Sequence, residues 1–178
     1  KLHGRPVDLY RQSLPKFMIT DGYRKNRPRL FGIVTCFYDS LNYLLTQRDL
    51  QAAFRSVYAH LEPGGWFIFD MNTEEALKVL WGDVVYSGVR NDLAWVWRNE
   101  YNETKKTADI CATFFVKKGR AWERFDEVHT ERAYDNKLIK RLLREAGLQI
   151  KGFYRCHTFE RPTRKTNRIA VVARRPAR

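Results

Sequence analysis

The sequence predicts an α/β fold, with a mostly parallel sheet that ends in an antiparallel C-terminal hairpin and carries an antiparallel β insert. An apolar run at residues 31–37 is followed by a polar cluster and then by a helical pattern. A second predicted strand, at residues 66–70, follows a Pro-Gly-Gly turn. Strands that are buried on both faces of a parallel sheet have this continuous apolar character. Two such strands separated by one helix indicate a right-handed βαβ unit.

Length and composition predict one globular domain over residues 1–178. Hydrophobic residues make up 44% of the chain and aromatic residues 14%, which suffices to bury a core. No apolar run approaches the roughly 20 residues that a membrane-spanning helix needs. Three cysteines that lie far apart favour a reducing, cytoplasmic setting over a disulfide framework or a zinc site. We therefore expect no metal and no contact with a membrane.

The net charge of +13 comes from the two ends of the chain. Residues 32–160 contain 18 basic and 18 acidic residues, so the basic excess lies in residues 1–31 and 161–178. Such an excess forms either a solvated surface or a site for phosphates, and we favour the solvated surface. Any binding of nucleic acid is therefore expected to be weak and non-specific.

The N-terminal part of the predicted sheet contains one more strand. Residues 16–20 form a short apolar run, and Asp21 and Gly22 follow it as a strand-to-loop signal. We expect this strand to lie in the same parallel core as the strands at 31–37 and 66–70.

The helix between the two long strands has a clear start. Thr46 can cap it, and Asp49 follows three residues later, close to a capping box. The apolar residues of the helix recur at helical spacing, which predicts one buried face. The Pro-Gly-Gly turn at 63–65 is expected to end the helix.

The middle of the chain changes from a helix-forming to a strand-forming residue pattern. Four runs of strand-forming residues, joined by short polar turns, predict an antiparallel β insert at about residues 84–133. A second helix is predicted over 136–146, with Gly147 as its C-terminal cap. The strands predicted at 148–157 and 168–174 are close enough in sequence to form an antiparallel hairpin.

Four segments resemble the class I S-adenosylmethionine-dependent methyltransferases of small molecules. Asp21-Gly22 after a short strand is similar to the family's adenine-side acidic residue, and residues 33–43 resemble its fourth-strand motif. Residues 60–70, HLEPGGWFIFD, resemble the L-x-P-G-G turn and fifth strand, the most specific of the four. REAGL at 144–148 resembles the end of the family's last helix. The resemblance covers residues 16–174.

This resemblance implies a Rossmann-like sheet and methyl transfer from S-adenosylmethionine to a small-molecule acceptor. It also implies that Asp21, Gly22, Cys36 and Phe37 bind the cofactor, with Asp21 accepting from the adenine amino group. The alternatives are that Asp21 caps its own turn and that Cys36 is a plain core residue, which is the interpretation we favour for Cys36. The family's glycine-rich G-x-G turn has no counterpart in this sequence. We therefore expect the N-terminal strands of the family's sheet to be missing and the domain at 1–178 to be incomplete.

Two other functions stay open at this point. An RNA or protein methyltransferase is favoured by the basic ends of the chain. A non-catalytic relic or interaction domain could keep the fold without binding the cofactor. The glycine-rich turn would distinguish these interpretations, because the enzymes need it and the relic does not.

Polar side chains at the ends of the predicted strands are candidates for an acceptor site. Asp39, Asn42 and Tyr43 follow the strand at 31–37, and Asp70 ends the next strand. Open α/β sheets bind ligands at this carboxyl edge. The alternative is that these side chains cap their own loops and the following helix.

A strand of the insert presents a further polar pattern. Glu127, His129 and Glu131 alternate, so they share one face of the strand. They could hold a metal or a cationic acceptor, although a plain polar strand face is the interpretation that we favour. Together with the loop residues, this pattern makes Glu127 and His129 candidates for substrate binding. The candidate catalytic residues are the following: Asp39, Tyr43 and His129.

Aromatic side chains of the insert allow two interpretations. Trp95, Trp97 and Tyr101 share a face of one predicted strand, and Phe115 belongs to the next. We expect them to pack the insert onto the main sheet, and the alternative is an aromatic wall over the substrate.

Overall fold

The computed structural model describes residues 7–20 and 27–177, which contain two four-stranded β-sheets. In spatial order, the first sheet contains β1 (Phe31–Cys36), β2 (Leu61–Asn72), β8 (Arg168–Arg174) and β7 (Gln149–Arg155). The second sheet contains β3 (Val85–Arg90), β4 (Leu93–Asn102), β5 (Thr107–Lys118) and β6 (Ala121–Arg132). The helices are α1 (Gln47–His60), α2 (Asn136–Glu145), a 3-10 helix (Ser40–Tyr43) and a π-helix (Ala76–Leu80). Within the described ranges, no helix has the length and apolar character to traverse a lipid bilayer.

The predicted strand–helix–strand unit is confirmed. β1 and β2 pair in parallel, with Val34 opposite Phe67, and α1 connects them. The helix begins after Thr46, whose Oγ1 accepts a hydrogen bond from the Asp49 amide at 3.0 Å. This side-chain cap satisfies one of the amides that have no partner inside a first helical turn.

The Pro-Gly-Gly turn lies inside β2 and does not end the helix, which already ends at His60. Phe31 is opposite Leu61, but Ile33 is opposite Trp66, so β2 has extra residues between these pairs. Gly64 there adopts a φ of 82°, a left-handed value that glycine adopts without strain. The turn therefore forms a bulge in the strand.

The prediction of a mostly parallel sheet is wrong for the described residues. Among them, parallel pairing joins only β1 and β2; β8 is antiparallel to both β2 and β7. The second sheet is antiparallel throughout. Short turns between the insert strands permit no other arrangement, since a parallel neighbour needs a long crossover. The predicted C-terminal hairpin and the antiparallel insert are confirmed.

The predicted strand at 16–20 is also wrong. Lys16 makes an isolated bridge with Ser13, and the rest of this run forms no strand. The Ile19 amide instead donates to His60 Nε2 at 2.9 Å, which fixes the segment against the end of α1. Asp21 and Gly22 lie outside the described residues, so their predicted cofactor role stays a prediction.

The main core lies between the first sheet and the two α-helices. Phe54 of α1 packs against Phe67 and Phe69 of β2, and the centroids of the two β2 rings are 4.7 Å apart. All three side chains are fully buried, as is Leu143 of α2. Aromatic rings contribute large buried areas, so this contact fixes α1 on the sheet.

Asn42 joins the two sheets. Its Nδ2 donates to the carbonyl of Asn72 in β2 at 3.0 Å and to that of Arg132 in β6 at 2.9 Å. Its Oδ1 accepts from the Asn72 amide at 3.0 Å. The side chain is 0% exposed. This residue therefore holds the end of the insert against the carboxyl end of β2.

Candidate active site

A cavity of about 400 Å³ lies where the two sheets meet. One side is the segment that follows β1, and the other side is the face of the second sheet that carries Trp97 and His129. Arg168, the first residue of β8, closes the cavity from the first sheet. The cavity thus forms at the carboxyl end of β1, the edge at which ligands bind in open α/β sheets.

Aromatic side chains form much of its wall. They are Tyr38, Tyr43, Trp81, Trp97 and Phe114. Of the aromatic residues that the sequence suggested for a wall over the substrate, Trp97 lines the cavity. On the next strand it is Phe114 that lines the cavity, and not Phe115. Because Trp97 and Phe114 lie on one face of neighbouring strands, the wall is continuous across β4 and β5.

The segment after β1 is held in an unusual backbone conformation. Tyr38 and Asp39 have φ values of 57° and 50°, in the left-handed region. Both amides donate to the Asp70 carboxylate, at 3.2 Å and 2.7 Å. Non-glycine residues occupy this region at an energetic cost, and they do so most often at functional sites. The Asp70 contacts offset that cost and present Tyr38 and Asp39 to the cavity.

A buried polar network forms the floor of the cavity. Arg168 contacts Asp39 at 2.9 Å and Asp70 at 3.6 Å, and its Nε donates to Asn72 Oδ1 at 3.2 Å. Asn72 Nδ2 donates to Asp39 at 2.6 Å and to Glu131 at 3.0 Å. The network therefore contains one guanidinium group and three carboxyl groups.

Burial opposes the ionisation of the Glu131 carboxyl group in this network. Glu131 is 3% exposed, and burial raises its pKa to about 7, an effect that the hydrogen bond from Asn72 partly opposes. The neighbouring charge of Asp39 raises the pKa further. The floor can therefore gain or lose one negative charge near neutral pH.

A chain of three polar side chains crosses the opposite wall. Tyr43 Oη lies 3.3 Å from His129 Nδ1, and His129 Nε2 lies 3.2 Å from Glu127 Oε2. The rings of Tyr43 and His129 meet edge to face, with centroids 5.9 Å apart. Burial raises the pKa of Tyr43, so its hydroxyl keeps its proton at neutral pH. The imidazole thus lies between a proton donor and a carboxylate.

The structure brings together four of the predicted substrate residues, which are Asp39, Tyr43, Glu127 and His129. Asn42 and Asp70 lie behind the wall, where they hold the loop and the sheets. Glu131 and Arg168 are the charged lining residues that the sequence candidates did not include. Alternation with Glu127 gave a signal for Glu131, whereas Arg168, at the start of a strand, had none.

The predicted cofactor residues that the structure describes are Cys36 and Phe37. They lie at the end of β1, next to Tyr38 of the cavity. Burial raises the pKa of the Cys36 thiol to about 11, so it is neutral, and the Phe37 ring is 47% exposed. Cys36 packs against the main core, and the cofactor role of both residues stays a prediction. The described ranges contain no group of His, Cys, Asp and Glu side chains placed to hold a metal ion.

Comparisons with known proteins support the family resemblance that the sequence motifs suggest. No family model matches the chain. "Putative methyltransferase YqeM" of Bacillus subtilis (strain 168) is 27% identical over 172 residues, covering 97% of this chain and 67% of that protein. A protein of Geobacillus sp. (strain WCH70) with the same designation is 27% identical over 146 residues, covering 82% of this chain and 59% of its own length. The chain therefore spans only about two thirds of these relatives.

Solved structures show the same likeness. An S-adenosylmethionine-dependent methyltransferase from Clostridium acetobutylicum superposes with a TM-score of 0.84 at 29% identity, covering 98% of this chain and 67% of that one. DesVI of Streptomyces venezuelae shares the fold, with a TM-score of 0.65 at 20% identity, covering 90% of this chain and 62% of that one. In sequence and in fold, this chain is similar to the class I S-adenosylmethionine-dependent methyltransferases.

Proposed function

We propose that this chain supplies the acceptor site of an S-adenosylmethionine-dependent methyltransferase that acts on a small molecule with a basic nitrogen. The observation that carries the proposal is the cavity at the end of β1, which combines aromatic walls with an acidic floor. Aromatic faces and carboxylates both attract an ammonium group, and they do so more strongly away from water. The phosphates of RNA would be repelled there, which disfavours an RNA acceptor in this cavity.

The proposed cofactor position follows from the resemblance and from the surfaces at the end of β1. Cys36 and Phe37 would lie along the adenine ring, and Asp21 with Gly22 would complete that side. When bound, S-adenosylmethionine supplies an electrophilic methyl group on a sulfonium. Displacement at that carbon needs an in-line nucleophile, so holding the acceptor in place supplies much of the rate.

The acceptor nitrogen must lose a proton before its lone pair can attack. We assign this step to Tyr43 and His129. The ammonium donates to Tyr43 Oη while the tyrosyl proton passes to His129 Nδ1, and Glu127 stabilises the imidazolium that forms at Nε2. Asp39, held by Arg168, would accept a second hydrogen bond from the acceptor and orient it. The geometry meets the first requirement for a general base, a hydrogen-bonded path to the proton.

The test is a radiolabelled methyl-transfer assay on the purified protein extended by the N-terminal strands and glycine-rich turn of the family's sheet, with a panel of small amines and their neutral hydroxyl analogues. We expect transfer to amines, and Tyr43→Phe and His129→Gln should each lower kcat by about 10²-fold or more. Asp126→Asn is the matched control, because Asp126 lies on the opposite face of β6 and bonds Arg124 and Thr113. Transfer to hydroxyl analogues alone, or full activity in both variants, would contradict the proposal.

A further inference from the structure

A second concave site lies at the other edge of the first sheet. A groove of about 540 Å³ runs between α2 and β7, the strand that ends the spatial order β1-β2-β8-β7. Residues 150–154 line it consecutively, as expected when a groove follows the edge of a strand. Asn136, Lys140 and Arg144, spaced four residues apart on one face of α2, form its other side.

The groove is positively charged. Four of its lining residues are basic, Lys140, Arg144, Lys151 and Arg161, and no acidic residue lines it. None of the four forms an ion pair among the described residues.

Basic side chains nearby that point elsewhere do find acidic partners. Arg141 pairs with Glu145 at 3.6 Å, and Arg155 pairs with Glu160 at 2.8 Å. The groove therefore carries four basic side chains whose charge no acidic partner among the described residues compensates.

Aromatic rings accompany these cations. Lys140 Nζ lies 4.4 Å from the centroid of the Phe153 ring, which also lines the groove. Phe159, in the loop between β7 and β8, is 92% exposed and meets Tyr154 edge to face with centroids 5.7 Å apart. The ring is open to solvent, and it belongs to neither core cluster of the described residues.

We infer that this groove binds a single-stranded polynucleotide. Unpaired cations along a concave edge attract the phosphates of a strand, and an exposed ring beside them offers a face on which a base can stack. An acidic peptide would satisfy the cations but not the ring, and a flat membrane surface could not enter the groove. The inference is independent of the proposed methyl transfer, whose cavity lies beyond β1.

The binding should weaken steeply with salt. If four cations each displace a counterion from a single strand, the logarithmic salt slope is about −2.8, so affinity falls about 20-fold between 50 and 150 mM salt. The experiment is a fluorescence-anisotropy titration of the protein with a fluorescein-labelled oligouridylate decamer at several salt concentrations.

The test variant is Lys140→Glu with Arg144→Glu, and the matched control is Arg48→Glu with Arg55→Glu. The control pair lies on exposed positions of α1 and changes the net charge equally. We expect the test variant to lose at least tenfold in affinity at 50 mM salt, and the control less than threefold. Equal losses in both would show attraction to overall charge alone and would overturn the inference.

Phe159→Ala separates stacking from charge. Because the side chain is exposed, the variant should fold normally, which a urea melt checks. We expect about a tenfold loss of affinity with an unchanged salt slope. Unchanged affinity, or competition by polyglutamate as strong as by unlabelled oligouridylate, would refute a polynucleotide site.

Discussion

Glu131→Gln should stabilise the protein at pH 8 and change its stability little at pH 5. The amide can still accept from Asn72 and donate to Asp39, so it mimics the protonated carboxyl group without the option of ionising. Burial raises the pKa of Glu131 from 4.5 to about 7 in the folded protein. Between those values the folded state holds a proton that the unfolded state has lost, so stability falls as pH rises through this window.

The size of the effect follows from the two pKa values. At pH 8 the raised pKa of Glu131 lowers the stability by about 3 kcal/mol. At pH 5 the folded state keeps the proton and the loss is only about 1 kcal/mol, because the unfolded state is already partly ionised. The free energy of unfolding of Glu131→Gln, relative to the native sequence, should therefore increase by about 2 kcal/mol between pH 5 and pH 8. With a urea dependence of about 2 kcal/mol per molar, this difference moves the relative midpoint by about 1 M.

Urea titrations of both proteins at pH 5 and pH 8, followed by circular dichroism, measure this difference directly. Comparison with the native sequence cancels the titration of the remaining groups. Glu100→Gln is the matched control, because Glu100 is an exposed residue of β4 and its substitution should change the stability equally at both pH values. A stability difference that stays constant between the two pH values would refute the assignment of a raised pKa to Glu131.

Three further substitutions test the packing around the cavity by urea denaturation. Asn42→Ala removes three hydrogen bonds of a fully buried amide and should cost about 3 kcal/mol; a cost near zero would mean that it does not join the sheets. Arg168→Leu leaves Asp39 and Asp70 without their cation and should cost about 3 kcal/mol; an unchanged midpoint would mean that the two carboxyl groups do not need it. Asn99→Leu should stabilise by about 1 kcal/mol, because neither polar atom of the buried Asn99 amide has a partner among the described residues; destabilisation would reveal a missing partner.

Local signals predicted the elements whose cause is local. The capping pair Thr46 and Asp49 placed the start of α1, and Gly147, with a φ of 88°, follows α2 as its predicted cap. The insert strands were predicted to within a few residues because short turns fix antiparallel neighbours. In each case the physical cause lies within a few residues of the element.

Pairing between distant segments was not predictable in the same way. Residues 16–20 have the apolar composition of a strand, but a strand also needs a partner, and composition does not provide one. Likewise, nothing near residue 168 shows that β8 enters the sheet beside β2 in antiparallel orientation. A mostly parallel sheet was thus inferred from strand character, although direction is set by connections.

The residues of the candidate site also differ in whether a local sequence signal predicts them. Asp39 and Tyr43 were predictable because they follow a buried strand directly, a local signal. Alternation with Glu127 indicated the strand face of Glu131, but its contact with Asn72 spans 59 residues of sequence and that of Arg168 spans 96, so only the tertiary fold makes these contacts. A residue's polarity was readable from the sequence, but its partners were not.

The net charge of +13 does not describe the cavity beyond β1, whose lining is acidic. The strands β1 and β7 are the two outer strands of one four-stranded sheet, three spacings or about 14 Å apart. Exposed charges are screened within about 8 Å at physiological salt, so the basic groove beside β7 does little to offset the carboxyl groups near β1. One surface can attract phosphates while the other attracts an ammonium group. The order of strands in the sheet, which keeps these fields apart, therefore determines what each site can bind.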